Sequence, residues 1–246
     1  MIRTRWYIVF ALLLVIASAG LFLAQFYSFH RPSDTFFYLM QDLAFLPLQL
    51  LLVVLIADRY IKKKDRESQI GKINMVIGVF FGEVGDELLS KIVTRTMKRN
   101  ELYSFLSVSS SWTVRDFHKA VIAANAFSYE IDFADGALDD LRLFLLERRH
   151  DILRFLENPN LLEHERFTDL VWAVTHLAEE LYHRKTSDDL PPTDIDHLKG
   201  DAIRAYRALV VEWIMYMKHL KKHYPYLFSL AVRTNPFNPE RTVVVI

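Results

Sequence analysis

The sequence predicts an all-α protein in two parts, an N-terminal two-helix transmembrane hairpin followed by a cytosolic helical bundle. Three observations carry this expectation. Two long apolar runs lie close together at the N-terminus. Apolar residues recur at three- and four-residue steps through most of the remaining chain. Strand-like character is confined to the last five residues, Thr242–Ile246. Charge shows the same division. The 246 residues carry 30 Lys and Arg against 30 Asp and Glu, yet the first 60 hold only Arg3, Arg5, Arg31, Asp34, Asp42, Asp58 and Arg59. A net charge of zero gives no global reason to bind nucleic acid. The absence of cysteine excludes disulfides, thiolate catalysis and cysteine-ligated metals.

The first span is expected at about 6–29. Trp6 to Phe29 contains no charged side chain, and 24 helical residues reach about 36 Å, enough for a hydrocarbon core of about 30 Å. Ala17-Ser18-Ala19 has the small-x-small pattern of a signal-peptide cleavage site. The apolar run, however, continues through Leu21, Phe22, Leu23 and Phe26, which is too long for a signal peptide, so retention is expected. The second span is expected at about 36–57. His30-Arg31-Pro32-Ser33-Asp34-Thr35 lies between them and is short enough to force a hairpin. Trp6 and Tyr7 at one boundary, with Tyr27, Phe36, Phe37 and Tyr38 at the other, fit interfacial belts. Arg3 and Arg5 precede the first span, and Arg59, Lys62, Lys63, Lys64 and Arg66 come after the second. This bias places both termini in the cytoplasm of a cell whose inner membrane the hairpin crosses. The five cations after the second span are also candidates for lipid headgroup contact.

Polar groups inside the second span are the first functional pointer. Asp42 and Gln49 are seven apart and share a helix face, which Thr35 extends backwards by another seven. In an oligomer, Thr35, Asp42 and Gln49 would line a conduit. Alternatively, Gln25, Arg31 or His30 of the same hairpin satisfies Asp42. Residues 61–100 read as a basic linker and a glycine-rich amphipathic helix. Gly71, Gly78 and Gly85 recur every seven residues, with Gly82 between the last two. Each interior glycine costs a helix roughly 0.5–1 kcal/mol relative to alanine, so close approach of another backbone is expected there. That backbone belongs either to the same chain or to a second copy.

Residues 101–246 read as a cytosolic helical domain with an irregular C-terminal tail. Thr113 and Asp116 form a capping box for a helix ending near Ala126. A second helix carries Leu138, Leu141, Leu145, Ile152 and Leu156 on one stripe and ends at Asn158-Pro159. A third is expected at about 161–183, buried along Phe167, Leu170, Val174, Leu177 and Leu181. The longest, at about 194–224, carries Tyr206, Leu209, Trp213 and Met217 inward. Pro225, Pro236 and Pro239 suggest an irregular end, and the final β-branched residues suggest a buried or edge-strand tail.

No catalytic constellation emerges. Glu147-x-x-His150 and Glu180-x-x-His183 match di-iron spacing, but their histidines fall away from the buried stripes. His219 and His223 lack the glutamate of a zinc-protease motif. No metal or other cofactor is therefore expected. Trp172, His176, Glu179 and His183 do form one outward stripe, where a tryptophan among polar groups suggests contact with a cytosolic protein.

Three segments resemble those of uncharacterised prokaryotic two-span membrane proteins with a cytosolic helical domain. They are Phe45-Leu46-Pro47-Leu48-Gln49, Asn158 to Glu165, and Tyr224-Pro225-Tyr226-Leu227-Phe228. The resemblance implies that architecture and a prokaryotic plasma membrane, with no activity attached. The expected function is thus a homo-oligomeric membrane protein, in its sharper form an ion channel or pore. The alternatives are a membrane-anchored scaffold or sensor and, more weakly, a membrane-bound metalloenzyme.

Overall fold

The computed structural model describes residues 2–29, 32–134, 136–159, 161, 164–186 and 190–244. Several expectations lie outside the described residues: the hairpin turn at His30-Arg31, parts of the 158–165 segment, and Val245-Ile246. So do the side chains of Arg3, Arg5, Trp6, Tyr7 and Thr35. The fold is all-α. No β-strand occurs among the described residues, and a single antiparallel bridge pairs Thr96 with Ile131. The chain divides into two compact units, Met1–Arg66 and Glu67–Ile246.

In the first unit, α1 (Ile2–Phe29) and the beginning of α2 (Pro32–Phe80) carry the apolar runs. The basic segment, expected as a linker, is helical, because α2 continues unbroken through it. Residues 58–69 contain no glycine or proline and many good helix formers. Asp58 and Lys62 add an i,i+4 ion pair at 2.8 Å.

A π-helical turn, Phe81–Gly85, separates α2 from α3 (Asp86–Thr94) and is closed by the Asp86 N–H donating to the Phe81 carbonyl. The extra residue in this turn lets Phe80 and Phe81 both face inward. Phe80 meets Phe155 and Phe167 edge-on at centroid distances of 5.4 and 5.5 Å, while Phe81 stacks on Tyr216 at 5.2 Å. Gly85 is required here by space. A Cβ would stand 2.6 Å from Phe81 Cδ1 and 3.0 Å from Phe80 Cε1.

The remaining helices are α4 (Arg99–Leu106), α5 (Val114–Ala126), α6 (Ala137–Leu156), α7 (Glu165–Tyr182), α8 (Pro192–His223) and α9 (Pro225–Arg233). The capping box forms, with the Thr113 N–H and hydroxyl both donating to the Asp116 carboxylate at 2.7 Å. α7 starts later than the sequence suggests because His164 caps it, its Nδ1 accepting from the Phe167 N–H at 3.2 Å. α8 is the central member and packs against α3, α5, α7 and α9. Its Trp213 is fully buried and meets Phe237 at 5.0 Å.

Two expectations about the C-terminus need correction. Pro225 does not begin an irregular end. It occupies the first turn of α9, where a missing N–H costs nothing. The β-branched tail is neither buried nor a strand in its described part, since Val243 and Val244 are exposed. The buried tail residues come earlier. Asn235 Nδ2 donates to the Leu106 carbonyl at 3.0 Å and its Oδ1 accepts from the Phe237 N–H at 2.8 Å, which fixes Phe237 in the core.

Candidate functional site

The most concentrated polar chemistry lies between α7 and α8. Each helix supplies a histidine and a carboxylate four residues apart, hence on one face: His176 and Glu180 from α7, His197 and Asp201 from α8. His176 Nε2 lies 3.2 Å from Asp201 Oδ2, and His197 Nε2 lies 3.3 Å from the same oxygen. Glu180 closes the group, Oε1 at 3.9 Å from His176 Nε2 and Oε2 at 3.8 Å from His197 Nε2. Asp201 is 3 % exposed, whereas both histidines are about half exposed, so the cluster has a buried floor and an open rim.

Arginines hold both carboxylates in place. Arg204 Nη1 donates to Asp201 Oδ1 at 2.8 Å. Arg184 Nη1 donates to Glu180 Oε2 at 2.7 Å, and its remaining edge binds Asp194 through two hydrogen bonds of 2.7 Å. Hydrogen bonding from Arg184 holds the Glu180 and Asp194 carboxyls below the usual carboxylate range. Asp201 Oδ2, by contrast, is buried and receives no hydrogen bond.

A cleft of about 470 Å³ adjoins the cluster and shares Arg204 with it. Arg166, Arg207, Asp169 and Glu212 also line it. Glu212 is buried, its Oε2 3.7 Å from Arg166 Nε but without a hydrogen bond. Burial pushes its carboxyl up to about 7, with Arg166 acting in the opposite direction.

Of the stripe expected at Trp172, His176, Glu179 and His183, three residues are exposed and Glu179 is partly exposed, and their neighbours differ. Trp172 is exposed, and His176 turns toward α8. Glu179 is taken by α6, pairing with Arg149 at 2.8 Å, and His183 packs edge-on against Tyr182 at 5.2 Å. Sequence reasoning singled out His176, weighed Glu180 only with His183, and missed His197 and Asp201. The available signal was a pair of His-x-x-x-acid spacings, one at each end of the Tyr182–Pro191 connection.

The glycine expectation is also revised. A Cβ at Gly78 would come 3.2 Å from the Tyr216 hydroxyl, and at Gly85 it would meet phenylalanine rings. The close neighbours are aromatic side chains in place of the expected backbone, while Gly71 and Gly82 have nothing within 4 Å among the described residues. On α2, Asp42 and Gln49 are both exposed, as are Arg59, Lys62, Lys63, Lys64 and Arg66.

Comparison with known proteins gives a consistent relationship along the whole chain. Residues 2–61 match the family described as the MJ1433 N-terminal helical domain. Residues 69–233 match that described as uncharacterized protein MJ1433, C-terminal helical domain. The chain is 35 % identical over 240 residues to the uncharacterized protein MJ1433 of Methanocaldococcus jannaschii, covering 98 % of this chain and 96 % of that one. No solved structure matches. The two matched segments correspond to the apolar N-terminal part and the helical unit that bears the cluster, and on this basis the chain belongs to the MJ1433 family.

Proposed function

We propose that the chain is a homo-oligomeric integral membrane protein, anchored by a two-span hairpin with both termini in the cytoplasm. The observation that carries this reading is the uncovered apolar surface of the N-terminal unit. In the helix beginning at Phe36, none of the most apolar eighteen-residue window is buried, and Leu50, Leu51, Leu52, Val53 and Val54 are all more than half exposed. α1 contributes a further apolar stretch, Val15–Tyr27. A core helix of a water-soluble protein buries such a face. Leaving it in water forfeits about 25 cal/mol for every Å² of apolar surface, so lipid or other copies of the chain are its natural cover. The cations after the span set the orientation and favour anionic headgroups at about 1 kcal/mol each near the surface.

The test is membrane fractionation. The intact chain remains in the pellet through an alkaline carbonate wash, detergent releases it, and a C-terminal tag resists protease added outside whole cells. Recovery in the supernatant without detergent would sink the proposal.

The conduit is the sharper form of the same reading, favoured by Asp42 and Gln49 standing exposed on one face of α2 at a seven-residue spacing. Ion flux into liposomes is then lost in Asp42→Asn and Gln49→Ala variants, and a monomer in mild detergent rules it out. The scaffold reading rests on the exposed indole of Trp172, a large apolar group on a polar face, as the contact for a cytosolic protein.

A further inference from the structure

We propose that the cluster between α7 and α8 is a binding site for a divalent first-row transition-metal ion, ligated by His176 Nε2, Asp201 Oδ2 and Glu180 Oε1, with His197 beside them against Asp201. The atoms are the right kind. An imidazole with two carboxylates suits zinc, iron(II) or manganese, whereas magnesium and calcium favour oxygen alone.

The spacing is also right. Ligands at 2.0–2.2 Å from a common ion stand about 3.0–3.5 Å from one another. His176 Nε2 stands 3.2 Å from Asp201 Oδ2 and 3.9 Å from Glu180 Oε1, and one ligand atom from each of the three residues lies within 4.8 Å of the others, so Glu180 closes by a few tenths of an ångström around the ion.

An independent observation comes from Asp201. Its Oδ2 is buried and faces both Nε2 atoms at hydrogen-bonding distance, yet accepts no hydrogen bond. A buried carboxylate oxygen left without a partner costs a few kcal/mol. Ligands of one ion converge on it and do not aim at each other, and this geometry leaves such an oxygen open until the ion arrives.

The surroundings complete the site. Arg204 on Asp201 Oδ1 and Arg184 on Glu180 Oε2 fix each carboxylate and leave its other oxygen to the ion, the role outer partners play around bound metals. The ion would tie α7 to α8 across the Tyr182–Pro191 connection. The half-exposed histidines leave its outer side open to water, as in metal sites that take an exchangeable ligand.

The experiment uses the full-length chain without a histidine tag, stripped with chelator and titrated with Zn²⁺, or with Co²⁺ for its visible absorption bands. One equivalent binds per chain and raises the melting temperature, and chelator reverses both effects. His176→Ala and Asp201→Asn each weaken binding by more than about 100-fold, whereas Arg184→Gln and His197→Ala weaken it by about 10–100-fold, as for outer partners. The two histidines are exposed enough that their removal leaves helix packing intact, which unchanged helicity by circular dichroism verifies. His183→Ala and the double variant His219→Ala/His223→Ala retain full binding. Failure to bind Zn²⁺ or Co²⁺, or equal affinity in His176→Ala, overturns the site and leaves an ion-pair network in its place.

Discussion

The two units of this chain use the same kind of residue in opposite ways. Among the described side chains of Met1–Arg66 the large apolar ones are mostly exposed, Leu21 at 73 % and Val53 at 61 %. In Glu67–Ile246 most of them point inward, and Phe80, Leu88, Phe167, Tyr206, Leu209 and Phe237 are completely buried. Both units are helical, so secondary structure does not separate them. Periodicity does. The first 60 residues are apolar on every side of their helices, while the later helices alternate faces every three or four residues. A helix apolar all round needs an apolar surrounding, and a striped helix needs only one neighbour. The contrast predicts that similar substitutions have different consequences in the two units.

The largest effect is expected in the core. Trp213→Ala removes a fully buried ring from the central helix and its contact with Phe237, and should destabilise the helical unit by about 3–5 kcal/mol. The matched change Leu52→Ala, on the uncovered face of α2, should move the same thermal transition by less than about 0.5 kcal/mol in detergent. Equal shifts would erase the contrast.

Next comes Val53→Arg. A central arginine costs a membrane helix about 2.5–3.5 kcal/mol of insertion free energy, so the fraction recovered in carbonate-washed membranes should fall while the helical unit still melts as before. Unchanged membrane recovery would contradict the spanning assignment.

Glu212 sharpens the description of the core through pH. Its carboxyl titrates near 7 in the folded unit and at about 4.5 when unfolded. Between those values the folded chain holds a proton that the unfolded chain has released, so stability falls as pH rises through 4.5 to 7 and remains reduced above. The loss is up to about 3 kcal/mol. Glu212→Gln should therefore stabilise the protein at pH 8 and change little at pH 4. A gain independent of pH would show that the carboxylate is not the cause.

The smallest effect is at the start of α5. Thr113→Ala removes the hydroxyl donor from the capping box and should cost about 1 kcal/mol, read as a lower melting temperature. The change leaves membrane association untouched.

Much of this architecture was legible in the residues themselves. The capping box at Thr113, the striped helices through Leu170 and Leu209, and the change of pattern near residue 60 are all local, encoded within one or two turns of chain. Helix ends were less legible. Pro225 read as a breaker because proline both stops helices and starts them, and only the packing of Phe228 tells which. The glycine heptad read as a single face. The π-turn at Phe81–Gly85 shifts the register, so Gly78 and Gly85 meet different aromatic rings.

The candidate site was half visible. His176 stood out beside Trp172, but the wheel of α7 alone cannot show that His176 and Glu180 look toward α8 while Glu179 looks toward Arg149 of α6.

Propensity and hydrophobic periodicity, which act over neighbouring residues, were enough to place the long helices and the two apolar runs, but not α9 or the helical course of the basic segment. Packing between distant segments brought histidines from two helices to one buried oxygen of Asp201, took Glu212 away from water and returned Phe237 to the core. Those outcomes depend on how α8 is surrounded, and contacts between residues distant in sequence are fixed by packing volume and crossing geometry that no local pattern specifies.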